Sequence, residues 1–199
     1  MVIEHSFDKV FDTQRIYRQT LDAMARPGKI NALSQLNIKP PQGLNQAAAA
    51  IALTMLDSET NFHLVLDDQD ISEYLTLNTG ASNCPVNGAE FIIACADRGL
   101  PELKDVNCGT LLSPEKGATV LFMVHRLCVQ GKGIPLNLTG PGIAGTSRLV
   151  IAGMHYSNLE IMASLNQEYP VGVDMIFADD SGNVACIPRS STVRWEGEA

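Results

Sequence analysis

Thr119-Val120-Leu121-Phe122-Met123-Val124 is an apolar run with almost no polar interruption, and Glu90-Phe91-Ile92-Ile93-Ala94-Cys95 is its counterpart upstream. Both are short and rich in β-branched and aromatic residues. That composition predicts central strands buried on both faces. Downstream, residues 171–178 alternate: Val171, Val173, Met175 and Phe177 fall on one face, and Gly172, Asp174, Ile176 and Ala178 on the other. Asp180-Ser181-Gly182-Asn183 reads as a turn into residues 184–187, which makes a hairpin. Shorter strands are expected at 29–33, 62–66 and 136–138.

Helical spacing fills the intervals. Ile16, Tyr17, Leu21 and Met24 form one apolar stripe, with Thr13 as the expected cap. Pro27 and Gly28 end that helix, which sets Arg26 at its C-terminal tip and Arg18 two turns earlier, close to the same face. Asn45 is the expected cap of an alanine-rich helix over 46–56, apolar nearly all round and therefore buried. Further helices are expected at 71–77, ending at Thr79-Gly80; at 100–106, opened by Pro101; and at 158–166, capped by Ser157. Alternating strands and helices predict an α/β protein, a mixed β-sheet flanked by helices, in a single domain over residues 1–199.

Composition narrows the function. Charged residues are only 18% of the 199, below the usual quarter, which suggests that a partner covers some of the surface. A net charge of -8 argues against nucleic acid or an anionic membrane as partner, though a local arginine pocket can still hold an anion. The start of the chain lacks the apolar core of a signal peptide, and the runs at 47–53 and 118–124 are too short to span a bilayer. Cys84, Cys95, Cys108, Cys128 and Cys186 are odd in number, scattered and without CxxC, as expected of free thiols in a reducing cytoplasm. Cys95 and Cys128 read as inert core.

Candidate chemistry is sparse. Gly140-Pro141-Gly142-Ile143-Ala144-Gly145 fits G-x-G-x-x-G by letter. The strand before it is short, no helix opens after it, and Pro141 removes a backbone N–H that a phosphate needs, so it reads as a tight turn. His5, His63, His125 and His155 form no metal-ligand spacing, and no metal is expected. There is no G-x-S-x-G elbow and no Walker A sequence. None of the six lysines reads as a desolvated Schiff-base residue. No catalytic residue is expected. Two acids break local rules. Asp57 follows a helix C-terminus, where the macrodipole disfavours an anion; it either starts the turn into the next strand or has a structural or functional partner. Asp174 sits among apolar neighbours and needs a cation, either Arg189 at the end of the hairpin partner or Arg26.

The wording of several segments says more than their physics. Residues 17–28 (YRQTLDAMARPG), 56–60 (LDSET), 109–120 (GTLLSPEKGATV), 136–143 (LNLTGPGI), 169–174 (YPVGVD) and 187–190 (IPRS) resemble, in order and spacing, the PhnH family, the H subunit of the bacterial carbon–phosphorus lyase system. That resemblance implies a fold similar to pyridoxal-phosphate-dependent transferases without the cofactor. It implies a cytoplasmic, homodimeric subunit with the G, I, J and L proteins as partners. With G, I and L it replaces the adenine of ATP with a phosphonate to give ribose 1-phosphonate 5-triphosphate, and a separate radical subunit later cleaves the carbon–phosphorus bond. Arg18, Arg26, Asp57, Asp174 and Arg189 are then candidates for anion binding or structural ion pairs, and for Asp57 the resemblance favours a partner such as an arginine. Pro27, Gly28, Gly80, Gly140, Gly142 and Pro188 mark the signature turns. The segment Leu77-Asn78-Thr79-Gly80 departs from the family's more basic, histidine-containing stretch, and Ser190-Ser191 replaces a threonine-rich ending. Two alternatives stay open: an enzyme clamping a triphosphate or phosphonate with its arginines, and a stand-alone pyridoxal enzyme.

Overall fold

A computed structural model of the chain describes residues 4, 6–34, 36–65 and 68–195. His5 and the expected strand end at Leu66 lie outside the described residues.

The two apolar runs form β4 (Phe91–Cys95) and β5 (Thr119–Val124), paired in parallel at the centre of a seven-stranded sheet. β9 (Asp174–Asp179) flanks β5 in parallel, and β2 (Asn61–Leu64) flanks β4 in parallel. β3 (Ser82–Asn83) extends the β2 edge, again in parallel. On the other edge β10 (Asn183–Ile187) and β1 (Asn31–Ala32) run antiparallel, so the sheet is mixed.

Period-two alternation splits the central strands between two cores. Ile92, Ala94, Val120, Phe122, Met175 and Phe177 point to one side, and Ile93, Leu121, Ile176 and Ala178 to the other. Phe122 and Phe177 stack with centroids 5.6 Å apart. The second side is covered by α1 (Phe11–Ala25), α2 (Gln46–Met55) and α3 (Gln69–Thr79). Asn45 caps α2 by accepting the Ala48 N–H at 2.8 Å, and Gly80 ends α3 with φ +84°.

The first side carries a layer that the sequence did not announce. β6 (Arg126–Cys128), β7 (Ile134–Thr139), β8 (Ser147–Ala152) and β11 (Thr192–Trp195) form a four-stranded antiparallel sheet in the order β11-β7-β8-β6. Only a fragment of β7 was expected, and it was not expected in a second sheet. Leu136, Leu138, Leu149 and Ile151 pack the new sheet onto the core. Beside it lies α4 (Tyr156–Leu165), with the 3₁₀ segment Pro101–Asp105 against it where an α-helix was expected.

Three local expectations need correction. On α1 the buried face is Ile16, Thr20 and Ala23, whereas Tyr17 and Leu21 are about half exposed. Ile16 and Met24 of the expected stripe do face the core, but Thr20 and Ala23 take the inward places between them, where α1 packs on the alanines of α2 and on β10. Thr13 does not cap α1; its hydroxyl donates to the carbonyls of Lys9 and Val10, and Asp8 Oδ1 accepts from the Val10 and Phe11 N–H groups. Ser157 does not cap α4 either, because His155 does, its Nδ1 accepting from the Ser157 N–H at 3.3 Å.

Candidate functional site

The densest polar junction lies where β9 begins. Asp174 is the first residue of β9, and Arg189 follows Pro188 just beyond β10. Their side chains meet: Arg189 Nη2 is 2.7 Å and Nε 3.2 Å from Asp174 Oδ2, a side-on fork. The Arg189 backbone N–H donates to Asp174 Oδ1 at 2.8 Å. The rest of the guanidinium turns to backbone, Nη1 to the Pro114 carbonyl at 2.7 Å and Nη2 to the Gly117 carbonyl at 3.1 Å. Arg189 and Asp174 are 13% and 26% exposed, so the pair is largely desolvated yet satisfied. Gly117 is required sterically, since a Cβ there would land on Arg189 Nη1 and on the Gly172 carbonyl. Gly172 also donates its N–H to the Cys108 carbonyl at 2.9 Å. Segments 109–120, 169–174 and 187–190 thus close on one guanidinium.

The other signature segments also meet in pairs. A Cβ on Gly142 would collide with the Ala25 carbonyl, and one on Gly28 would sit 2.5 Å from Ser147 Oγ. The turn after α1 therefore nests against the turn after β7. Gly80 approaches Ser58, its would-be Cβ 3.3 Å from the Ser58 Cβ, which joins the α3 terminus to the 56–60 turn. Gly140, Gly142 and Gly145 all have positive φ, as a tight turn requires.

The remaining candidates are dispersed. Arg26 is exposed and pairs with Asp22, which also holds Lys29 Nζ at 2.6 Å, so of the two cations expected for Asp174 it is Arg189 that pairs with it. Arg18 is exposed and makes no ion pair among the described residues. Asp57 finds no arginine there. Its Oδ1 accepts the Glu59 N–H at 2.9 Å, and the Thr60 hydroxyl closes the turn by accepting the Asp57 N–H at 2.8 Å. A helix C-terminus followed directly by a turn lets the acid bond locally, so the macrodipole conflict is resolved without a cation.

Two buried polar residues were missed. Asp179, fully buried at the far end of β9, accepts four N–H groups, from Leu127, Ser181 and Asn183 backbone and the Asn183 amide. Asn158, also fully buried, accepts the Leu100 N–H and donates to the Ala96 and Arg98 carbonyls. Asn158 fixes the loop after β4. Its position one turn into a helix pattern, with no apolar reason to face inward, gave no cue.

Activated nucleophiles are absent from the thiols that shift. Burial pushes the Cys84, Cys95, Cys108 and Cys186 thiols above their ordinary range, which keeps them protonated and poorly nucleophilic at neutral pH. Cys95 and Cys128 are only half-buried, and Cys186 is the cysteine that the core encloses. Among the described residues no group of three or more histidine, cysteine or acidic side chains could hold a metal, and no helix is long and apolar enough to cross a membrane.

Fold and site together define a mixed α/β protein whose strongest ion pair is bound into its own backbone. The chain belongs to the family of the bacterial phosphonate metabolism protein PhnH, which matches residues 5–194. It is 30% identical over 193 residues to the alpha-D-ribose 1-methylphosphonate 5-triphosphate synthase subunit PhnH of Rhizobium meliloti (strain 1021), covering 95% of this chain and 94% of that protein. It is likewise 30% identical over 185 residues to HtxG of Stutzerimonas stutzeri, covering 92% and 87%.

Proposed function

We propose that this chain is the PhnH subunit of a carbon–phosphorus lyase system, acting in the formation of ribose 1-phosphonate 5-triphosphate from ATP and an alkylphosphonate. It works in the cytoplasm as a homodimeric, non-catalytic body among the G, I, J and L proteins. The observation that carries the non-catalytic part is the fate of Arg189. Four hydrogen bonds from its side chain, two to Asp174 and two to carbonyls, leave one of its five N–H groups for any ligand. The signature glycines likewise serve contacts between segments of the chain itself.

The relation to pyridoxal-phosphate transferases is part of the same reading. All six lysines are exposed, so none has the desolvated setting that a Schiff-base lysine needs. Outward-facing apolar residues favour a partnered surface: Val10, Tyr17 and Leu21 along α1, and Leu111, Leu112 and Tyr169 near the Arg189 junction. The enzyme alternative has one feature behind it, the groove of about 210 Å³ where Arg26 and Lys29 face the 142–147 turn. Both cations already share Asp22, which weakens it as an anion clamp.

The test is affinity capture of the tagged chain from cells grown on methylphosphonate. Co-purification of the other lyase subunits, lost on Tyr17→Asp with Leu21→Asp while the fold is kept, is the expected result. Recovery of the chain alone would overturn the reading.

A further inference from the structure

Away from the junction, a cleft of about 600 Å³ lies between α4 and the 3₁₀ segment Pro101–Asp105. It opens beside the carboxyl end of β4, the position where open α/β sheets receive ligands. Gly99 and Leu100 line it from the loop after β4, which three hydrogen bonds of Asn158 tie to α4.

The two walls carry opposite charges. Glu160 lines the cleft from α4, and Lys104 lines it from the 3₁₀ segment. Neither makes an ion pair or a side-chain hydrogen bond among the described residues, with each other or with anything else. Ser157 lies one turn before Glu160 on the same helix face. Its Oγ is 2.8 Å from His155 Nδ1, and the Ser157 backbone N–H also points at that nitrogen, so Nδ1 accepts and the hydroxyl donates to it. The lone pairs of Ser157 Oγ therefore remain to accept from a ligand. The floor between the walls is aliphatic, from Leu100 and Ile161.

We propose that this cleft binds a small zwitterion, a primary ammonium joined by a short aliphatic spacer to a carboxylate or phosphonate. The ammonium donates to Glu160 and Ser157, the anionic head meets Lys104, and the spacer lies on Leu100 and Ile161. A single-charge ligand leaves one wall unanswered, which gives the site its selectivity. The proposal stands on the cleft alone and is independent of the subunit assignment.

The test uses the full chain, ¹⁵N-labelled, titrated with 2-aminoethylphosphonate and β-alanine, with methylphosphonate and ethylamine as single-charge probes. The expected result is saturable amide shifts confined to residues 98–105 and 155–165 for the zwitterions. Binding should weaken roughly tenfold or more for each single-charge probe and for Glu160→Gln or Lys104→Gln, the loss of one charge-assisted contact. Both substituted residues are exposed, so the variants fold as the parent does. Preference between the two zwitterions identifies the anionic head. Absence of saturable shifts, shifts mapping elsewhere, or single-charge probes binding as tightly would overturn the proposal.

Discussion

The Arg189 junction and the α4 cleft are both built from charged residues beside the central strands, and they differ in what those charges face. At the junction, guanidinium and carboxylate are enclosed and turned on each other and on carbonyls. In the cleft, Glu160 and Lys104 stand on opposite walls and face open space. An enclosed and satisfied pair costs a great deal to break, because the surviving partner is left charged in a low-dielectric site. An exposed and unpaired charge costs almost nothing to remove and matters only when something binds. Signature wording concentrates at the junction, so in this chain the recurring residues describe assembly of the fold more than ligand chemistry.

The contrast breaks most visibly at Arg189. Arg189→Met should lower stability by about 3–5 kcal/mol in urea unfolding, by stranding Asp174 and two carbonyls. Adding Asp174→Leu should return part of that loss, and a near-neutral Arg189→Met would erase the distinction between the regions. Next, Asn158→Ala should cost about 2–3 kcal/mol, since the Leu100 N–H and the Ala96 and Arg98 carbonyls lose their partner. The same change should loosen amide protection over residues 96–100 and so connect fold stability to the cleft. Gly117→Ala should cost about 1–3 kcal/mol by overpacking against the guanidinium and the Gly172 carbonyl. Smallest of all, Glu160→Gln should move stability by less than about 0.5 kcal/mol, as expected of an exposed side chain. A large loss there would mean that the cleft charges support the fold after all.

How far the sequence revealed this depends on where each contact partner lies. The runs at β4 and β5 were legible because burial on both faces leaves no polar interruption, and the acid in β9 because it interrupts an apolar alternation. Arg189 was within reach of Asp174 through a hairpin, a local connection. Asp179 was not legible, because its partners include the Leu127 N–H, 52 positions away, and no side chain of opposite charge announces them. The four-stranded sheet escaped for a similar reason. β6 is only three residues long and opens on Arg126, and β8 offers a short apolar run, residues 149–152, with nothing local to say that it pairs in a second sheet. On α1 half of the apolar stripe misled: Ile16 and Met24 pack on the core, whereas close packing against the α2 alanines brings Thr20 and Ala23 inward and leaves Tyr17 and Leu21 outside. Those outward residues, with the low charge content, point to partners instead of to a core.

The claim that this chain contributes a body and borrows its chemistry is tested most directly by adenine release, followed by chromatography. Purified chain incubated with ATP and methylphosphonate should release no adenine above the protein-free control, and release should appear only when the other lyase subunits are added. Sustained adenine release by the purified chain alone would contradict the account.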